Sequence, residues 1–199
     1  MLRFFRIPFL VILVLVFVGN TALAQIDMED MVPEDEDALA SAFLVNDSGE
    51  PLGGVVIAEV EQMPDALGVW VFVWEGLEPG YHAFHIHSVG TCDEGENFTT
   101  AGGHFNPAGG DHGTHAGDLP SIYAMANGGG GTFFITDAFT VEDLMDDDGS
   151  AFMIHAGRDN YGNVPERYGS PDGDTLAAGD AGPRVGCGVI EAGFIFQDE

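Results

Sequence analysis

Lysine is missing from this 199-residue chain altogether, and five arginines stand against 33 acidic residues, for a formal net charge of −28. Such a polyanion has little to offer a phosphate backbone or an anionic bilayer, so nucleic acid and anionic membrane surfaces are poor partners and none is expected. Long apolar runs are also missing: residues 9–18 form the one uninterrupted stretch, well short of the roughly 18 residues wanted for a span, so no membrane span is expected after processing. Sustained apolar repeats of period 3.6 are absent, which argues against a helical architecture. With only Cys92 and Cys187 present, one disulfide is the most that the chain can form. The length suits one ordinary domain with a short extension, which leaves no room for a second catalytic domain.

The first 24 residues have the three parts of a secretory signal peptide: Arg3 and Arg6, the apolar run, and Ala22-Leu23-Ala24 as the small-residue cleavage pattern. No cysteine follows the run, so a lipid-anchored form is not expected. Cleavage would leave three arginines against the same 33 acids, a net charge of −30. Residues 25–38 begin QIDMEDMVPEDED, an acidic stretch poor in aromatics that reads as a disordered tether. Residues 39–199 are then the folded domain. Export to a periplasm, a cell envelope or the medium implies an oxidising compartment, in which Cys92 and Cys187 read as one disulfide.

What the chain has in plenty is glycine, 29 residues of it, together with β-branched and aromatic residues in short runs broken by turn signals. That pattern predicts an all-β sandwich or barrel. Candidate strands cover residues 40–45, 55–61, 69–75, 82–87, 121–125, 132–135, 151–155 and 185–190. Turn residues such as Asn127-Gly128 and Glu78-Pro79-Gly80 separate them. Two segments, 88–120 and 157–184, are too long for simple turns. Structureless loops of that length are functional or need something to pin them. The acidic run 142–148 reads as a solvated loop.

All seven histidines fall between residues 82 and 155. In Phe84-His85-Ile86-His87, the period of a strand puts both imidazoles on one face and Ile86 on the other, so the two rings could share a metal. Ala101-Gly102-Gly103-His104-Phe105-Asn106-Pro107, followed by His112-Gly113-Thr114-His115-Ala116-Gly117-Asp118, supplies three imidazoles and a carboxylate, a complete tetrahedral donor set for zinc. His155 ends an apolar strand. Alone it would read as a hydrogen-bonded strand end, but with His85, His87 and one loop histidine it completes a four-nitrogen set of the kind Cu(II) favours.

These segments resemble the copper/zinc superoxide dismutase family. The resemblance runs from about residue 40 to 191 and includes Gly80-Tyr81-His82-Ala83-Phe84-His85-Ile86-His87, the two histidine loops through Asp118-Leu119-Pro120, Ile154-His155-Ala156, and Gly179-Asp180-Ala181-Gly182-Pro183-Arg184-Val185-Gly186-Cys187-Gly188-Val189-Ile190. The wording of residues 159–180 is similar to the family's bacterial exported branch. The resemblance implies an eight-stranded antiparallel Greek-key β-barrel with two long functional loops, holding one copper and one zinc per subunit. Copper would fall to His85, His87, His104 and His155, and zinc to His104, His112, His115 and Asp118, with His104 bridging. It further implies that Asp159 links a copper ligand to a zinc ligand, that His82 is structural, that Cys92 pairs with Cys187, and that Arg184 meets superoxide at the copper. A homodimer stays open. Two other readings also stay open on the residues alone, a copper-binding module and a purely structural extracellular β-domain.

Overall fold

Ala40, Ala42 and Leu44 are fully buried while Leu39 and Phe43 face solvent, the alternation of a strand with one face on a core. The computed structural model describes residue 33 and residues 35–196, and β-strands buried on both faces stand beside strands that alternate. The strands are β1 (Ala38–Val45), β2 (Pro51–Val60), β3 (Met63–Val73), β4 (Gly80–His87), β5 (Asp118–Ala124), β6 (Gly130–Thr136), β7 (Ala151–His155), β8 (Arg184–Val189) and the short β9 (Glu191–Ala192). Their hydrogen-bonded order is β2-β3-β6-β5-β4-β7-β8-β1-β9, and β1 also pairs with β2, so β1 to β8 close into an antiparallel barrel with β9 added beside β1. Placing β6 and β5 between β3 and β4 makes the Greek-key crossing. The expected eight-stranded antiparallel Greek-key barrel is therefore present, with β9 in addition. The expected leader, residues 1–24, lies outside the described residues, as does most of segment 25–38. At the end of that segment Asp35–Asp37 form a 3-10 turn and Ala38 opens β1.

The barrel interior is filled by one apolar cluster that includes Leu44, Val55, Ile57, Val69, Val71, Phe84, Ile86, Ile122, Phe152 and Ile154. Phe84 and Phe152 stack at 5.2 Å between ring centroids across the β4–β7 pair. Each such side chain, fully buried, stabilises the fold by roughly 1.5–3 kcal/mol. Because Phe84, Ile86, Phe152 and Ile154 point inward, His85, His87, Met153 and His155 point outward, on the outer face of β4 and β7. That face is covered by the two long connections, residues 88–117 and 156–183.

A second, smaller apolar cluster lies under the first connection, where Phe98 and Ala101 meet Ala151, Met153 and Cys187. Cys187 on β8 is bonded to Cys92, across 95 positions of sequence, so the expected disulfide ties this connection to the strand after Arg184. Two short helices were not expected. Within the acidic run, α1 (Val141–Leu144) starts with a capping box in which Thr140 accepts from the Asp143 backbone and Asp143 accepts from the Thr140 backbone. In the second connection, α2 (Gly173–Ala178) is capped by Asp172 and ends on Gly179 in the left-handed conformation.

Candidate metal centre

The strands supply three imidazoles. His85 and His87 come from β4 and His155 from the end of β7, where it sits in register opposite Arg184, the first residue of β8. The first connection returns His104 to them by a single bridge between His87 and His104, held on either side by Ser88 N–H to Gly103 O and Phe105 N–H to Ile86 O. One donor atom from each of His85, His87, His104 and His155 lies within 4.8 Å of the others. His85, His104, His112 and Asp118 form a second such set, in which His85 stands where the sequence expects His115.

Hydrogen bonding decides which nitrogen of each ring is left over. His85 Nε2 is 2.7 Å from Asp159 Oδ2, His87 Nδ1 is 2.9 Å from Gly102 O, and His155 Nδ1 is 2.9 Å from Gly182 O. Those contacts assign the proton to the bonded nitrogen in each ring. His85 Nδ1, His87 Nε2, His104 Nε2 and His155 Nε2 are then buried without any hydrogen-bond partner. Buried polar atoms are rarely orphaned, and four imidazole nitrogens orphaned side by side match the four-nitrogen donor set that Cu(II) favours.

Asp118 opens β5, and its Oδ2 is fixed by the backbone N–H groups of Gly113 and His115 at 2.7 and 3.0 Å. Its Oδ1 faces three rings: Nδ1 of His104 at 2.8 Å, of His112 at 3.1 Å and of His115 at 3.2 Å. His115 Nδ1 lies 3.3 Å from His104 Nδ1. A tetrahedron with zinc–ligand bonds of about 2.0–2.1 Å has edges of about 3.3–3.4 Å, which the contacts of 3.1, 3.2 and 3.3 Å approach, while Asp118 and His104 at 2.8 Å stand at hydrogen-bond distance. His112 Nδ1, close to Asp118 but off the hydrogen-bond direction, is itself an orphan. His104 thus has one nitrogen in each set. His82, by contrast, spends both nitrogens on the carbonyls of His155 and Glu78, leaving none for a metal.

Asp159 joins the two sets. Its Oδ2 accepts from His85 and its Oδ1 from His112 Nε2, both at 2.7 Å. Nε2-protonated rings present Nδ1 to the metal, the usual way a carboxylate orients a metal-binding imidazole. Gly179 lies so close to this junction that any side chain there would collide with Asp159 Oδ1 and His112 Nε2, and its φ of 61° suits glycine.

The electrostatics keep His87, His104 and His155 neutral, as ligation requires. Burial lowers His87 to about 2, with help from the Arg184 charge, and lowers His104 to about 4 and His155 to about 3. His112 goes the other way, to about 9, because the two carboxylates beside it, Asp118 and Asp159, outweigh its burial. Asp118 and Asp159 are both buried, which would raise them, but their histidine hydrogen bonds hold both well below the ordinary carboxylate range. Arg184 is half-buried, and its guanidinium donates to Phe98 O and Gly102 O. Gly102 O also accepts from His87, so the cation and a copper-type ring share one carbonyl. Tyr161 also belongs to this site, although its sequence context, part of the wording shared with the bacterial exported branch, gives it no role. Its N–H donates to Asp159 Oδ1 at 2.7 Å.

Residues 53–190 match the family model for copper/zinc superoxide dismutase. The chain is 44% identical over 133 residues to a Cu-Zn superoxide dismutase of Mycolicibacterium paratuberculosis, covering 59% of each chain, so it spans under two thirds of that relative's length. It is 34% identical over 168 residues to a Cu-Zn superoxide dismutase of Aquifex aeolicus, covering 78% of this chain and 88% of the other. The solved Cu/Zn superoxide dismutase from Brucella abortus superposes with a TM-score of 0.59 at 30% identity, over 76% of this chain and 99% of that one. Both donor sets suit the two metals in those names, and the chain belongs to the copper/zinc superoxide dismutase family.

Proposed function

We propose that the chain is an exported superoxide dismutase in which His85, His87, His104 and His155 hold copper and His104, His112, His115 and Asp118 hold zinc. The observation that carries this reading is the convergence of the orphaned ring nitrogens beside a half-buried arginine. Bound copper would supply the one-electron exchange by which one superoxide leaves as dioxygen and a second, with two protons, as hydrogen peroxide, while d¹⁰ zinc takes no part in electron transfer.

The protein's own groups do the rest. Arg184 is held by two backbone carbonyls in a pocket shared with His87, so its fork is already oriented when an anion arrives. Burial lowers its pKa from a very high ordinary value, and it stays cationic at neutral pH. A fixed cation at that place favours superoxide over neutral molecules of the same size. His104 is held on its Nδ1 side by Asp118, which leaves Nε2 to face copper or, when free of the metal, to carry a proton for the forming peroxide. Asp159 keeps His85 and His112 in the tautomers that present Nδ1. The leader-like residues 1–24 support export, and the buried disulfide is at home in the oxidising compartment that export implies.

Purified protein loaded with both metals should remove superoxide, and Arg184→Ala should lose roughly tenfold or more in rate at unchanged copper content. Full copper occupancy with no activity in the unmutated protein would refute the enzyme and favour a copper-binding module.

A further inference from the structure

Asp159 is itself held in place, and by a residue that sequence reasoning passes over. Tyr161 adopts the left-handed conformation, with φ 54°, two residues after Asp159. That conformation is uncommon for a non-glycine residue and points to a local constraint. Two contacts account for it. The Tyr161 N–H donates to Asp159 Oδ1, the same oxygen that accepts from His112 Nε2. Its phenol oxygen accepts from the Ser121 backbone N–H at 2.9 Å and lies 2.9 Å from Ser121 Oγ.

Ser121 is where β5 needs a partner. The β4–β5 register runs through His82–Ile122 and then slips to Phe84–Leu119, while β5 pairs with β6 only at Tyr123 and Ala124. Ser121 has no register partner on either side, and the phenol takes its N–H instead. The strand so engaged begins with Asp118, the carboxylate at the centre of the zinc-type set.

The backbone around Tyr161 presses on the same half of the site. A Cβ on Gly113 would collide with Tyr161 O, and a Cβ on Gly162 would come within 2.6 Å of His112 O. These contacts fall on His112 and Gly113 and not on His87 or His155, and the copper-set ring that Asp159 also holds, His85, bonds its other oxygen, Oδ2. We propose that Tyr161 is a positioning residue, a clamp that fastens the second connection to β5 and so sets Asp159 and His112 for zinc. This inference rests on the metal assignment above and adds to it an asymmetry between the two metals.

The test uses the full chain carrying Tyr161→Phe, with Tyr123→Phe as a control that deletes a phenol oxygen two residues along β5 from Ser121. Three quantities are measured: hydrogen exchange at the Ser121 amide, zinc and copper affinities by competition with a chelator, and the visible spectrum of Co(II) placed in the zinc site. The phenol also lies 3.4 Å from Leu119 O, so the variant removes up to three contacts, and each neutral hydrogen bond lost corresponds to about a 2- to 12-fold change in an equilibrium constant. Tyr161→Phe should therefore speed exchange at Ser121, weaken zinc by about 3- to 10-fold, leave copper within about twofold, and change the cobalt spectrum. Tyr123→Phe should do none of these.

Faster exchange at Ser121 with zinc affinity and cobalt spectrum unchanged would make Tyr161 a stabiliser of the fold and overturn the inference. So would equal weakening of both metals. Unmutated protein that takes up no zinc would instead overturn the metal assignment, and the clamp with it.

Discussion

Replacing Cys92 and Cys187 together by alanine removes the covalent tie between the first long connection and β8. The closed loop spans 95 positions, and the chain-entropy relation −2.1 − 1.5R ln n then gives about 4.7 kcal/mol at 25 °C. Cys187 is fully buried among Phe98, Ala101, Ala151 and Met153, so the lost sulfur adds about 1 kcal/mol of packing. Residual structure in the unfolded chain works against both figures and brings the expected loss to about 4–5 kcal/mol. Urea unfolding of protein stripped of metal is the proper assay, since bound metal would add its own linkage to both proteins. A second effect follows from what the bond connects. The segment it pins carries the Phe98 and Gly102 carbonyls, and the strand it pins carries Arg184, which donates to both. The double variant should therefore lose superoxide-removing activity at unchanged copper content, because the guanidinium loses its fixed seat. A stability loss under about 1 kcal/mol would refute the loop-closure estimate, and full activity would refute the link to Arg184.

Stripped protein should be most stable near pH 6.5 and lose stability on both sides. His87, His104 and His155 lie below their ordinary 6.5 in the fold, so the unfolded chain takes up protons that the folded one refuses. Their contribution is complete above 6.5 and falls as the pH drops towards about 4, 3 and 2. His112 is raised to about 9, so its contribution is complete below 6.5 and is lost as the pH rises through 9. Urea midpoints that stay flat from pH 7 to pH 5 would contradict this. Salt should act on encounter: the net charge of −28 repels superoxide over tens of ångströms in dilute buffer, whereas Arg184 acts close to the metal. Screening shortens to about 8 Å at physiological ionic strength and removes the distant repulsion first. The bimolecular rate constant should rise as salt is added from the lowest ionic strength, and a steady fall would refute this.

Much of the barrel is legible because strands with one buried face announce themselves by alternation. The pattern Phe84-His85-Ile86-His87 already places two rings opposite a core residue, and the structure has Ile86 inside and both rings outside. Strand starts were less legible. Pro120 argues for a β5 that begins after it, yet β5 begins at Asp118, because the slip in the β4–β5 register tolerates a residue without an N–H. The α1 helix hid in an acidic run, although Thr140-Val141-Glu142-Asp143 carries the spacing of a capping box. The seat of Arg184 could not be read at all, since it consists of the backbone carbonyls of Phe98 and Gly102, and any residue has a carbonyl. Tyr161 was missed for the same reason, because what matters is its own N–H and its reach to a strand 40 positions away in sequence.

The site lies outside the barrel because the core claims the other face of the same strands. Phe84, Ile86, Phe152 and Ile154 cannot turn outward without emptying the interior, so His85, His87 and His155 are fixed in direction by burial alone. Everything facing them must come from the two connections, and such segments hold no geometry of their own. The zinc-type set, the disulfide and the Asp159–Tyr161 contacts each fasten a different part of those connections to a strand: Asp118 to β5, Cys92 to β8, Tyr161 to β5. The copper-type set then inherits a rigid outer wall without spending its own ligands on it. It follows that damage to the fastenings should appear first as disorder around His104, His112 and Arg184, while His85, His87 and His155 keep their orientation for as long as the barrel stays folded.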